Sequence, residues 1–307
     1  MLRINFLICL IFIFCFKIFA DEELCTSPLL VIKMKDEPVV ASKFRSAKSP
    51  FQKPLPHLNR QGLDELNISA SGQFSKQSLE IMLQEINWEG PFYLMDLRQE
   101  MHGFVNGDAI TLYSFRNWGN KNKTREQIER EERLFMHSLR PENPITLHFV
   151  LEKEEELGLP PKVVPVAEII FNAITEAELA KELNIHYIRI PITDHLRPTD
   201  EEVDRFVKFV HALPDNSWIH FHCSAGVGRA TTAMVMFDMM KNAKQLSFDE
   251  ILARQAALGG KDLATINMDP HNWKLEYALE KLDFLKRFYN YCQSNADHFE
   301  TSWQESL

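Results

Sequence analysis

Basic residues are in short supply in this sequence: 34 Lys and Arg stand against 43 Asp and Glu, a formal net charge of -9 over 307 residues. That deficit argues against general electrostatic attraction to nucleic acid or to an anionic membrane surface, so any polyanion must find a locally basic pocket. Long apolar runs are missing after residue 20, which leaves no transmembrane segment in the body of the chain. No cluster of His and carboxylates shows metal-ligand spacing, and neither a metal nor another cofactor is expected. Cysteine is scarce, with five in all.

What is present begins with a leader. MLRINFLICLIFIFCFKIFA places Arg3 ahead of an apolar run from Ile4 to Phe16 and a small residue, Ala20, before DEEL, the layout of a secretory signal cleaved after Ala20. Ile18 fits the third position before the cut imperfectly, and no lipobox surrounds Cys15 or Cys25. The alternative is a membrane anchor, but the run is shorter than the ~20 residues a spanning helix needs, which favours a cleaved signal with no stable membrane insertion afterwards. The mature chain keeps Cys25, Cys223 and Cys292. An odd number in an exported protein implies a free functional thiol or a partner chain. A Cys25–Cys292 bridge would leave Cys223 as the single thiol.

The mature chain is 21–307, and with 45% hydrophobic residues overall there is ample material for one large domain, or one with an insertion. Residues 21–75 carry Pro, Ser and Lys with little periodicity and read as loops and short strands wrapping a core. Ser78 to Ile86 reads as a helix, Phe92 to Leu97 and Ile145 to Val150 as strands, and the charged stretch Lys121 to Leu139 as a solvated helix whose charges lie at the surface. The N-terminal segment and roughly 100–170 together form a smaller β-rich accessory subregion. Thr175 with Glu178, Thr199 with Glu202 and Ser247 with Glu250 each fit a capping box at a helix start. His186 to Pro191 and Ser217 to His222 read as strands between those helices, and Trp273 to Cys292 as a long closing helix. The order is that of an α/β fold with a largely parallel central sheet flanked by helices, where ligands bind at the carboxyl ends of the strands.

Cys223 lies at such an end. IHFHCSAGVGRATT, Ile219 to Thr232, carries a strand into a helix through a short turn that Gly226 and Gly228 permit. Successive amides of Ser224, Ala225, Gly226, Val227 and Gly228, leading into a helix N-terminus, form a cradle for a phosphate or a similar anion. Arg229 adds a guanidinium able to grip two phosphate oxygens. The same field lowers the thiol below its usual ~8.5, making Cys223 a thiolate nucleophile beside the bound phosphate rather than a merely buried cysteine.

HCSAGVGR resembles the Cys-x5-Arg signature of the protein-tyrosine-phosphatase superfamily. TDHLRPTDEEVDRF, DLRQEMHGFVNG, GLDELNISASGQFS, RQAALGG and NWKLEY narrow the resemblance to its inositol-polyphosphatase branch, the cysteine phytases, from about Phe44 to the final helix. The resemblance implies that fold and a metal-free mechanism in two steps. Cys223 attacks phosphorus, Asp194 protonates the leaving alkoxide, and water then hydrolyses the phosphocysteine with Asp194 as base. It further implies that His222, which by itself reads equally as a hydrogen-bonded core residue, orients the cradle and favours the thiolate, and that His195, Arg45 and Lys274 contact substrate; Arg98 stands at a strand end where it either does so or anchors the core. One departure is Ala230, where relatives carry a hydroxyl residue that bonds the sulfur; Thr231 comes one place later.

The implied substrate is a small molecule, myo-inositol hexakisphosphate or a lower inositol polyphosphate. The Lys-Asn-Arg-Tyr motif of tyrosine-specific relatives is absent, Lys121-Asn122-Lys123 being a superficial echo. Two alternatives stand beside this reading: a phosphatase for phosphoproteins or phosphoinositides, and an inactive phosphate-binding module, against which Cys223, Arg229 and Asp194 together argue. The leader directs the chain to the periplasm or the outside, or into a host as a bacterial effector. Nothing in the sequence sets the oligomeric state.

Overall fold

The computed structural model describes residues 28–52, 58–139, 143–152 and 161–307; the leader and Cys25, with its expected bridge to Cys292, lie outside them. Among the described residues the chain runs through β1 (Leu29–Met34), β2 (Arg45–Ser46), β3 (Ile68–Ser71), α1 (Lys76–Ile86), β4 (Phe92–Arg98), β5 (His102–Val105) and β6 (Asp108–Tyr113). It continues with α2 (Arg125–Ser138), β7 (Pro144–Glu152), β8 (Lys162–Ile169), β9 (Ala173–Ile174), α3 (Glu176–Glu182), β10 (His186–Ile192) and α4 (Asp200–His211). β11 (Trp218–His222), α5 (Gly228–Asn242), α6 (Phe248–Ala257) and α7 (Leu275–Ser294) complete it.

The expected α/β architecture is present. The central sheet has the order β10-β4-β11-β3-β2 and is parallel except for the short β2 at its edge. Ile219 and Phe221 of β11 and Met95 and Leu97 of β4 feed the main core, as apolar strands sandwiched between helices must. α5 is buried nearly all round, from Ala233 through Met236 to Met239, so it has no polar stripe. α4 buries Val203, Phe206, Val207 and Val210 on its apolar face, with Glu202 and Asp204 covered beside them.

A second, mostly antiparallel sheet, β8-β7-β1-β6-β5-β9, gathers the N-terminal strand with those of the middle of the chain. Its own core joins Ile32, Val105, Ile110, Met136, Leu147 and Ile170, and a third cluster around Phe74, Phe104, Leu94 and Leu179 ties it to the central sheet.

Local signals and structure part company in three places. Thr175–Glu178 and Ser247–Glu250 form full capping boxes, but at α4 only half of one exists: Thr199 accepts from the Glu202 amide, while the Glu202 carboxylate takes Arg205 instead. The helix expected over Lys121 to Leu139 starts at Arg125, behind a Thr124–Gln127 box, and is not uniformly solvated. Ile128, Glu132 and Met136 are buried, and Glu132 binds Arg189 at 2.8 Å. β3 runs inside the sheet, between β11 and the edge strand β2, in a stretch whose sequence reads only as wrapping loops and short strands.

Candidate active site

The carboxyl ends of β3, β4, β10 and β11 meet at one edge. In register across the sheet, Arg189, Asp96, His222 and Ser71 form a single row, and the chain after each strand builds the site. Cys223 follows His222 directly and is 2% exposed.

The loop from Cys223 to Gly228 is held from outside by its carbonyls. Gly226 O accepts from Arg45 at 2.9 Å, Ser224 O from the Gln73 amide at 3.2 Å, and Val227 O from Thr231 at 2.5 Å. Because a peptide is planar and trans, carbonyls held on one side turn the following amides to the other. Those amides belong to Ala225, Val227 and Gly228, which line a cavity of about 330 Å³ with Cys223, Ser224 and Arg229. Gly226 has φ +71°, and a Cβ there would stand 2.3 Å from the Gly72 nitrogen, so the residue is required by both torsion and space. Gly228 is different: a Cβ there meets nothing within 4 Å.

Arg229 is 2% exposed and gripped in a fork by Glu100, at 2.6 and 2.9 Å, with a further bond to Ile192 O. Its other neighbour is Asp194, whose Oδ1 lies 3.2 Å away. Burial pushes the Glu100 carboxyl up, yet Arg229 and Arg98 outweigh it and hold it well below the carboxylate range. Removing one member of such a buried pair costs about 3–5 kcal/mol. Asp194 is fixed by Asn117, whose Nδ2 donates to Oδ2 at 2.9 Å, and by Trp118, whose indole donates to the Asp194 carbonyl at 3.0 Å. Burial pushes the Asp194 carboxyl up, but Arg229, His195 and Asn117 leave it below its ordinary value. In the free site it is therefore the counter-ion of Arg229.

His195 and Lys274 line the same cavity as Cys223 and Asp194. His195 sits in the left-handed region, φ 69°, with its ring edge-on to Trp273 at 4.9 Å. Burial, then the nearby cations Lys274 and Arg229, lower its pKa, although Asp194 opposes them.

One residue expected in the site lies elsewhere, and Arg98 takes the second of the two roles open to it. Arg45 was assigned to substrate, but it is 2% exposed and lies behind the loop, donating to Gly226 O, Lys43 O and Thr231 Oγ1; it braces the cradle instead of facing the cavity. Arg98 is fully buried, bound to Glu100, Gln73 and Thr111, and anchors the core. His222 is fully buried beneath the loop, its Nε2 2.5 Å from Glu176.

Other residues of the site escaped the sequence reading. Lys261, Lys281 and Lys33 line the cavity, Lys33 reaching it from β1 of the second sheet. Burial, then repulsion from Lys261, brings the Lys281 ammonium down to about 8. Its spacing from Lys274, two turns along one helix face, was a signal available in the sequence. Glu100 and Asn117 had none, since each finds its partner only through the fold. The same holds for Asp96 and Glu176, whose donor atoms lie within 4.8 Å of each other and of that of His222 although no spacing announces a cluster.

Comparison with known proteins bears on this geometry. A family model described as protein-tyrosine-phosphatase-like phytase, inositol hexakisphosphate, matches residues 95–241. A phytase of that type from Bdellovibrio bacteriovorus is 33% identical with a TM-score of 0.75, over 92% of this chain and 95% of that one. The phosphatase-like myo-inositol phosphatase of Mitsuokella multacida, solved with myo-inositol-(1,3,4,5)-tetrakisphosphate, is 34% identical with a TM-score of 0.83, over 94% of this chain and 51% of that one. Effector protein hopD2 of Pseudomonas syringae pv. tomato is 29% identical over 272 residues, 86% of this chain and 56% of its own. The chain thus spans about half the length of the last two.

Proposed function

The chain belongs to the protein-tyrosine-phosphatase-like phytase family, and from that premise we propose that it hydrolyses myo-inositol hexakisphosphate and lower inositol polyphosphates through a phosphocysteine at Cys223. The observation that carries the reading is the union of Cys223, Arg229 and Asp194 on the floor of a cavity that Lys33, Lys261, Lys274 and Lys281 also line. Four ammonium groups around one anion cradle suit a ligand with several phosphates. The Mitsuokella relative, solved with an inositol tetrakisphosphate, supports the same ligand class.

In the first step the Cys223 thiolate forms the S–P bond as the P–O bond to the inositol breaks, and Asp194 gives its proton to the departing oxygen. A depressed Asp194 must therefore regain a proton when substrate binds. The bound phosphate supplies the cause: it occupies Arg229 and sets a second anion beside Asp194, and both effects raise the carboxyl. In the second step the Asp194 carboxylate takes a proton from water, which attacks phosphorus and releases the sulfur as thiolate.

A phosphate-release panel tests the reading. Purified protein is expected to release phosphate from inositol hexakisphosphate far faster than from phosphotyrosine peptides or phosphoinositides, and preference for either of the latter overturns it. Cys223→Ser is expected to abolish turnover while keeping ligand affinity, since the amides and Arg229 remain. Export rests on the leader pattern of residues 1–20 and on the effector relative; N-terminal sequencing of secreted protein, expected to begin at Asp21, checks it.

A further inference from the structure

Behind the nucleophile lies a buried set of ionisable groups that the two chemical steps do not use. His222, one peptide bond from Cys223, is fully buried, as are Glu176 at the start of α3 and Asp96 beside it in the sheet. Glu176 Oε1 stands 2.5 Å from His222 Nε2, and Asp96 Oδ1 stands 3.7 Å from the same nitrogen. Glu176 Oε1 and His222 Nε2 are both buried and their contact is not aligned as a hydrogen bond; since a carboxylate only accepts, it favours a proton on the facing Nε2.

Gln73 Nε2 donates to Glu176 Oε2 at 3.3 Å. Asp96 is claimed by Arg189 at 3.0 Å, by the Tyr187 hydroxyl at 2.9 Å and by His102 at 3.3 Å. His102 also lies 3.4 Å from Glu176 Oε2, leaving Oε1 for His222. The carboxylates raise the His102 imidazole to about 9 against burial and Arg98. His220, on the same strand, is brought to about 3 by burial and by His222, and bonds Ser69 and Ser71 as a neutral ring. Phe74 packs against the His222 ring at 4.8 Å. Of the two carboxylates at His222, Glu176 is thus the one in close contact.

We propose that Glu176 is a positioning residue for the nucleophile, fixing the orientation and the Nε2 proton of His222 and so holding Cys223 as a thiolate. The inference deepens the reading of Cys223 as nucleophile and rests on it. Glu176 directly follows β9 and its N-cap Thr175, so the second sheet is joined through this carboxylate to the nucleophile. The orientation of the ring one residue from the thiol sets the loop in which the thiolate is held, and Glu176 is the group in close contact that fixes it.

Alkylation of Cys223 by iodoacetamide across pH tests the coupling without requiring turnover, so it separates failure of this inference from failure of the phosphatase reading. Glu176→Gln keeps the shape and removes the charge. Its alkylation midpoint is expected to rise by about one pH unit, with kcat/KM at neutral pH falling roughly tenfold, alike for inositol hexakisphosphate and p-nitrophenyl phosphate. Glu176→Asp, which keeps the charge, is expected to recover part of the shift and stands in should the glutamine variant not fold. His222→Asn should give the same shift, and the double variant no more than either alone. An unchanged midpoint in Glu176→Gln, or additive shifts in the double variant, overturns the proposal. So does one equivalent of metal per wild-type chain that Glu176→Gln loses, because Asp96, Glu176 and His222 would then be a ligand set.

Discussion

Ala230 leaves the position after Arg229 without the hydroxyl that the resemblance implies there, and Thr231 is not a substitute. The Thr231 Oγ1 donates to Val227 O and accepts from Arg45 and from the Lys261 amide, so it is committed to bracing the loop. Without a hydroxyl donor at the sulfur, the thiolate is a poorer leaving group from the phosphocysteine. Ala230→Ser adds one oxygen to a buried methyl and is expected to raise steady-state turnover several-fold while leaving the first-turnover burst unchanged; quenched-flow kinetics checks both. Asp194→Asn should behave differently, crippling inositol phosphate hydrolysis much more than that of an ester with a good leaving group such as p-nitrophenyl phosphate, which needs no proton in the first step and loses only the base of the second. Equal losses on both substrates would remove Asp194 from the acid role. Single residues were legible in the sequence where a local motif marked them, as with Cys223 and Arg229. The resemblance places Arg45 on substrate, and only the fold, which buries it behind the loop, shows that it braces the cradle.

At the scale of elements, what the sequence showed depended on whether the signal was local. Caps at Thr175 and Ser247 and the apolar run of β11 announced themselves, since each rests on neighbours within a few positions. β3 did not: its four residues, ISAS, are buried because β11 and β2 flank them, and nothing in so short and polar a run says so. Glu132 on α2 looked like one more surface charge until Arg189 was brought against it. The glycines of the cradle loop also separate at this scale. Gly226→Ala is expected to cost at least a hundredfold in kcat and to lower Tm, because a Cβ would collide with the backbone between β3 and α1 at a positive φ. Gly228→Ala should keep the wild-type Tm, its Cβ meeting open space. Thermal melts of the two variants distinguish the torsional requirement from mere loop composition.

At the scale of the whole molecule, a chain with net charge -9 concentrates cations at one cavity, with Lys33 arriving from the second sheet and Lys274 and Lys281 from the closing helix. That segregation makes polyanion use depend on salt and on pH in a way that a single phosphate does not. Salt screens the ammonium groups around the cradle more than the buried Arg229, so rising ionic strength should lower kcat/KM for inositol hexakisphosphate more steeply than for p-nitrophenyl phosphate. The pH dependence carries a sign. Lys281 in the free protein titrates at about 8, so its positive charge is present below that pH and is lost as pH rises through it. A polyanion binds the charged form better, and KM for inositol hexakisphosphate should therefore climb above about pH 8. Lys281→Met removes the titrating group: its KM should be raised already at pH 7 and show a flatter alkaline rise, while the singly phosphorylated ester changes little. Lys274→Ala should weaken polyanion use in the same selective way but keep the inflection, since Lys281 is still there. KM against pH for the two substrates and two variants is the measurement, and a Lys281→Met enzyme with the wild-type inflection would show that another group near the cavity sets it.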